Sequence, residues 1–526
     1  TGATFYPNNT FIHKNFPMKI SFSNRLFSII LSGLLLIAGL GCKKNHNSQP
    51  SNPSSSNRLS DEDSLKYYIY HYMLVTFDDG AMAYFHDSLP LYLWYNQVPI
   101  SSINPLDDNL YPKAETLLNK IISYPINPET GKPYDRYSFL DRAGSVSDLL
   151  QGGVTGDMGF QPIYAYDANN NLHLVVLYVY KNSSAGQQGV QRGWEITAIN
   201  GNSNISDQNM VINAIYYSSS SSFTFKKPDG TSVTLTIQAM QYVVNPVLFD
   251  TVYTLSNGKK VGYFVFNQFI DIFDSANNPT ETKNELDAVF QKFQDSAVND
   301  IIVDLRYNGG GSVNTAEYID NKLAPATAAG KVMYSYVYND KLTKYASQLQ
   351  LPSQIFFTST GSFQLDHLFF IVSRNTVSAS ELTINNLRPY MDVQLVGDTT
   401  YGKPVGFFGW PIYDYDSTGK QQHLADLYSV NFQTKNATGY GDYFNGLVPS
   451  KFEYDYVGYN WGDTRDPNLQ DVFNFLTTGN YRISPGARLA TGAASLRMIP
   501  GSMPLKGFQG MVDFKQAQQL RPIFMR

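Results

Sequence analysis

Three short apolar runs, IIVDLRY (301–307), LFFIVS (368–373) and VQLVG (393–397), constrain this chain more than any other feature. A run that stays apolar on consecutive residues, without alternation, is the pattern of a strand buried on both faces. VGYFVFNQF (261–269) reads as a further strand, and ELDAVFQKF (285–293) places Leu286, Val289, Phe290 and Phe293 on one helical face. A helix is also expected after Ala379, between the second and third runs. Strand, helix and strand at this spacing predict βαβ units, and so an α/β core over residues 243–483.

The N-terminal region points to export. Residues 1–17 carry no readable pattern. Met18, Lys19 and Arg25 begin a signal whose apolar segment is LFSIILSGLLLIAGL (26–40), too short for a comfortable membrane span. The signal reads as residues 18–41. Cys42 follows in GLGC and is the only cysteine in the chain. A lone cysteine there resembles a bacterial lipobox, with small Gly41 in place and Gly39 where leucine is usual. The expectation is a lipidated Cys42 on a polar tether (42–60), anchoring the protein to a membrane outside the cytoplasm. One cysteine allows no intramolecular disulfide, so the fold must stand on packing. With 39 Lys plus Arg against 44 Asp plus Glu, the chain lacks the basic excess of a nucleic-acid binder.

Residues 61–148 read as a small helical domain: DEDSLKYYIYHYMLVTF opens on acidic residues, as a helix N-terminus should. Residues 150–240 are β-rich, with turn signals at Asn200-Gly201 and Asp229-Gly230. The order of Ser184, Ala185, Gly189, Gly193, Ile196, Asn200 and Gly201 resembles a PDZ domain, with Trp194 where aspartate is usual. Such domains add an extended peptide to a sheet edge. Met158, Gly159 and Phe160 fall where the carboxylate-binding loop would be, although an ordinary strand-entry turn has the same look. The tail (484–526) shows little periodicity and receives no assignment.

Three stretches of the core carry the chemistry. DLRYNGGGS (304–312) runs a buried strand into three glycines, which can turn backbone N–H groups toward a reacting atom. It lacks the Gly-Lys-Ser/Thr ending of a phosphate loop. NTVSASEL (375–382) sets Ser378 and Ser380 at a strand-to-helix junction, where either is a helix cap or a nucleophile beside unpaired N–H groups. GDTTYGKPVG (397–406) holds Lys403 just past an apolar strand.

Taken in this order, DLRYNGGG, SASE and TYGKPVG resemble the carboxyl-terminal processing (tail-specific) serine peptidases, which carry a PDZ domain ahead of the catalytic core. The resemblance covers roughly residues 150–480 and implies a multidomain α/β protein: an N-terminal helical domain, a PDZ-like domain and the α/β core. In the family the nucleophile is the serine before Ala-Ser-Glu and the lysine lies twenty-five residues on, which implies Ser378 and Lys403. The oxyanion would be met by the N–H of Ala379 and of a glycine in 309–311, with Gly310 favoured and Gly311 beside it.

No histidine lies within forty residues after Ser378, and the nearest before it is His367; the resemblance implies that Lys403 takes the serine proton, which it can do only when neutral. Apolar Val405, Phe407 and Phe408 are consistent with a dry pocket. The chain departs from the family at Phe407, where a lysine-orienting glutamine is common, and at Pro389, where an acid is common. The implied function is a lipid-anchored endopeptidase acting on extracytoplasmic polypeptides, with no metal or other cofactor. The rival is a catalytically silent peptide-binding lipoprotein on the same fold.

Overall fold

The apolar runs lie side by side in one six-stranded sheet. In the computed structural model, which describes residues 59–76, 80–358, 363–482 and 496–524, the strand order is Lys451–Phe452, Val393–Gly397, His367–Val372, Asp300–Asp304, Lys260–Phe266, Val247–Thr254. Every neighbouring pair is parallel except the last. Parallel neighbours need crossovers. The helix Glu281–Asp295 makes the one between Lys260–Phe266 and Asp300–Asp304, burying Leu286, Val289, Phe290 and Phe293. The helix Ala379–Leu387 makes the one between His367–Val372 and Val393–Gly397.

Alternate residues of these strands enter two different cores, which is why the runs are apolar throughout. Ile301, Val303, Leu368 and Phe370 pack with Phe290 and Phe293 on one side. Ile302, Phe369, Ile371 and Val396 pack with Leu469, Val472 and Leu476 of the helix Pro467–Thr478 on the other. Each such side chain contributes roughly 1.5–3 kcal/mol on burial.

A second six-stranded sheet has the order Gly310–Ser312, Gly510–Val512, Val405–Phe407, Val430–Asn436, Val332–Val337, Gln354–Phe356. It gathers the glycine run, the segment after Lys403 and a piece of the tail. A third sheet, with a core of its own, comprises Arg497–Met498, Phe160–Tyr166, Leu172–Val179, Glu195–Ile199, Ser220–Lys226 and Ser232–Gln238. The first helix, Asp61–Leu74, is capped by Ser60, whose hydroxyl accepts from the Asp63 N–H at 3.1 Å. Its Leu65, Ile69 and Met73 join the large core that also holds one face of the parallel sheet. Among the described residues no helix is long and apolar enough to cross a membrane. Cys42, the signal and nearly all of the tether lie outside the described residues.

The strand Asp300–Asp304 ends in a buried ion cluster. Arg306 bonds Asp304 at 2.7 Å, Asp466 at 2.8 Å and Asp455 at 3.0 Å, and lies over the Trp461 ring. Arg192, just before the strand Glu195–Ile199 of the third sheet, shares Asp455 at 3.3 Å and the same ring. Removing one partner strands the other charges in a dry interior. Arg306→Leu is therefore expected to cost roughly 3–5 kcal/mol, measured by urea unfolding; a loss below 1 kcal/mol would mean water reaches the carboxylates.

Candidate active site

Ser378 stands at the mouth of the helix Ala379–Leu387 with φ 58° and ψ −104°. A positive φ is a strained conformation for serine, held only where the surroundings over-determine it. Here they do. The Ser378 N–H donates to Glu381 Oε2 at 2.8 Å, and its carbonyl accepts from the Leu382 N–H at 2.7 Å. On the other side the Asn308 carbonyl accepts from the Val377 N–H at 3.0 Å and from Ser380 Oγ at 3.1 Å. The glycine run is thereby tied directly to the serine turn.

Glu381 is what brings the lysine to the serine. Its Oε2 also accepts from the Lys403 N–H at 2.9 Å, while Oε1 accepts from the Gly402 N–H at 2.7 Å and from the Thr400 hydroxyl. One fully buried carboxylate thus clamps the backbones of both residues. Burial raises its pKa, and the four donors work against that rise.

Lys403 is 2% exposed. Its amine lies 4.2 Å from the Phe407 ring centroid, 5.0 Å from Tyr137 and 6.0 Å from Phe508. Burial pushes its pKa down to about 7; Asp135 and Glu381 oppose the shift and Arg136 adds to it. An amine in this position is substantially neutral near neutral pH, as a general base must be. Nζ donates to the main-chain carbonyl of Gln509 at 2.8 Å. Ser378 Oγ, fully buried, faces the carbonyl of Val405 at 3.5 Å. In this state hydroxyl and amine each bond a carbonyl rather than one another.

Gly310 lies beside Ala379: a Cβ on Gly310 would fall 2.9 Å from the Ala379 N and 2.3 Å from the Gly510 O, at φ +99°. The Gly310 N–H is engaged by Asn308 Oδ1 at 2.8 Å. Gly311 sits next to it in the strand paired with Gly510–Val512. Gly310→Ala is expected to destabilise the protein by about 2–3 kcal/mol, through strain and crowding together. Chemical denaturation reads the loss, and an unchanged midpoint would place the 304–312 loop elsewhere.

Met158, Gly159 and Phe160 are not part of this constellation. They open the strand Phe160–Tyr166, with the Met158 and Gly159 carbonyls accepting from Ala185 and Tyr180 N–H groups at 3.2 and 2.9 Å. Among the described residues no group of three or more His, Cys, Asp or Glu could hold a metal.

Several contributors went unread in the sequence. Tyr137 OH donates to the Gly402 carbonyl at 2.7 Å, and Arg136 to the same oxygen at 3.3 Å. Both come from the N-terminal region. Phe508 and Gln509 come from the unassigned tail, where the pair Met511–Val512 between Gly510 and Asp513 was the sole hint of a strand.

Residues 260–437 match the model of peptidase family S41. A carboxyl-terminal-processing peptidase 1, chloroplastic, of Arabidopsis thaliana is 23% identical over 273 residues, covering 51% of each protein. The carboxy-terminal processing protease CtpB of Bacillus subtilis is 21% identical over 276 residues, 52% of this chain and 51% of that one. The chain thus spans about half the length of the curated relatives it matches. In fold it is similar to a solved structure assigned to an S41 protease of Bacteroides fragilis, with TM-score 0.56 and 24% identity over 74% of this chain and 95% of that one. Over residues 260–437 the chain is thus similar to peptidase family S41, and its fold is similar to that of the Bacteroides fragilis structure. The curated relatives it resembles are carboxyl-terminal processing peptidases.

Proposed function

We propose that the chain is a serine endopeptidase working through a Ser378–Lys403 dyad. The observation that carries this reading is a lysine amine with a pKa near 7, locked by Glu381 to the turn that presents Ser378. Neutral Lys403 takes the Ser378 proton as Oγ attacks the substrate carbonyl carbon. The tetrahedral oxyanion is met by the Ala379 N–H and by the glycine run, where Gly310 exchanges Asn308 for the new anion. The C–N bond breaks, and the ammonium of Lys403 returns its proton to the leaving amine. Water, deprotonated by the same amine, then hydrolyses the acyl ester and frees Ser378.

Phe407 leaves no side-chain amide to orient the lysine, and the Gln509 carbonyl supplies the acceptor instead. In this reading residues 61–148 form the helical domain and 150–240 the PDZ-like peptide binder, with Met158–Phe160 as its end loop. The core is 243–483. Its partners are extended polypeptides outside the cytoplasm, and Cys42 carries the lipid that attaches it to a membrane. Palmitate labelling that vanishes in Cys42→Ser supports the anchor; labelling that persists removes it.

The rival reading is a silent peptide binder on the same fold. Wild type and Ser378→Ala, assayed side by side on an unfolded polypeptide, decide between them. Cleavage by the wild type alone supports the peptidase, and peptide binding without cleavage by either supports the binder.

A further inference from the structure

The edge of the third sheet is already occupied by the chain's own tail. Arg497 and Met498 pair antiparallel with Tyr166 and Ala165, and the Ile499 N–H donates to the Tyr164 carbonyl at 2.9 Å. The Tyr164 N–H in turn donates to Ser502 Oγ at 3.2 Å. Gln161 brackets the next residues, its Nε2 donating to the Pro504 O at 2.9 Å and its Oε1 accepting from the Lys506 N–H at 2.9 Å.

The opposite wall is the helical segment 208–217. Gln208 Nε2 donates to the Ser502 O at 2.7 Å, and Tyr216 OH to the Pro504 O at 2.6 Å. Leu496, Met498 and Met503 enter the same apolar cluster as Phe160, Ile163, Val211 and Ile215. At the far end Lys506 meets Asp157, just before Met158, at 3.2 Å. The segment thus contacts a sheet edge through its main chain and sinks side chains between strand and helix, the two elements of peptide capture by strand addition.

We propose that residues 496–506 are an intramolecular ligand of this groove, and that a substrate polypeptide enters it by displacing them. The displacing chain is extended and carries apolar side chains like those of Leu496, Met498 and Met503. After Gly507, at φ +95°, the tail turns and reaches Lys403 through the Gln509 carbonyl, so the groove and the amine are joined by a few residues of one continuous segment. The proposal rests on the peptide-groove part of the reading above, and not on the chemistry at Ser378.

A test uses the mature chain with Ser378→Ala, so that no probe is cut, and a fluorescein-labelled synthetic peptide of residues 496–506. A tethered ligand competes at high effective concentration, so adding Met498→Asp and Met503→Asp is expected to tighten peptide binding roughly tenfold or more in fluorescence anisotropy. Equal affinity in both proteins, or no binding to the released groove, overturns the proposal. Should circular dichroism show the double variant unfolded, the chain with Ser378→Ala alone gives the answer. Saturating peptide should then speed hydrogen exchange at the Ile499 and Lys506 amides, which donate to Tyr164 and Gln161, about tenfold by opening the tethered contact, and unchanged exchange overturns the proposal. Displacement without any cleavage by the wild type would remove the endopeptidase and leave this inference standing.

Discussion

Ser378→Ala should lower cleavage of an unstructured polypeptide by about four to six orders of magnitude, the usual loss when a covalent nucleophile is removed. The hydroxyl lies 3.5 Å from the Val405 carbonyl and takes part in a capping box with Glu381, so its removal should cost about 1 kcal/mol of stability, far less than the loss of activity. Lys403→Ala should match that loss of activity. Lys403→Arg separates charge from basicity. A guanidinium keeps the positive charge yet stays protonated throughout the working range, so this variant should be as inactive as alanine. Initial rates from labelled casein or a similar unfolded chain provide the measurement. Substantial turnover by Lys403→Arg would show that the lysine acts by charge alone, and full turnover by Ser378→Ala would move the nucleophile elsewhere.

The second large effect is on the pH profile. Only the neutral amine accepts a proton, and burial holds Lys403 at about 7, so kcat/KM should rise through pH 7 and level off above it. One unit below the midpoint the rate should fall roughly tenfold. The charged and titratable groups facing the amine are Asp135, Arg136 and Tyr137 from the N-terminal region and Glu381 from the serine helix. The tail adds an aromatic ring and a carbonyl. Phe508→Ala admits water beside the amine, relieving the desolvation that favours the neutral form. The acid limb should therefore move up in pH, with activity depressed at pH 7 and recovering toward pH 9. Damage to packing alone would lower the rate equally at every pH, and such a uniform loss would refute the solvent-exclusion role.

The same shift has a consequence for stability. The folded pKa of Lys403 lies below its unfolded value of 10.5, so between about 7 and 10.5 the unfolded chain binds the extra proton. Stability contributed by this group rises with pH across that window and reaches its full value above the unfolded pKa. Below about 7 both states carry the proton, and the cost of burying the ammonium is constant.

Much of the parallel sheet was legible because a strand buried on both faces must be apolar at every position, as 301–303 and 368–372 are. The helix 281–295 was legible from its 3.6-residue spacing. Ser378 and Lys403 were proposed because their motifs and spacing resemble those of the carboxyl-terminal processing peptidases, a pattern written along the chain. What supports them was not readable in that way. The Gln509 carbonyl lies 106 residues from the amine it serves, just before a strand of three residues that is too short to show any periodicity. Glu381 reads locally as a helix-start residue, and only the fold turns its second oxygen toward Thr400 and Gly402.

Local sequence, then, determined which segments become strand or helix, because propensity and burial pattern act over a few neighbouring residues. Tertiary structure alone decided the dryness of Lys403, the acceptor that holds it and the tail lying in the groove of the third sheet. Those depend on sheet order, which inserts Gly510–Val512 between Gly310–Ser312 and Val405–Phe407 and so brings backbone atoms from distant parts of the chain to one point.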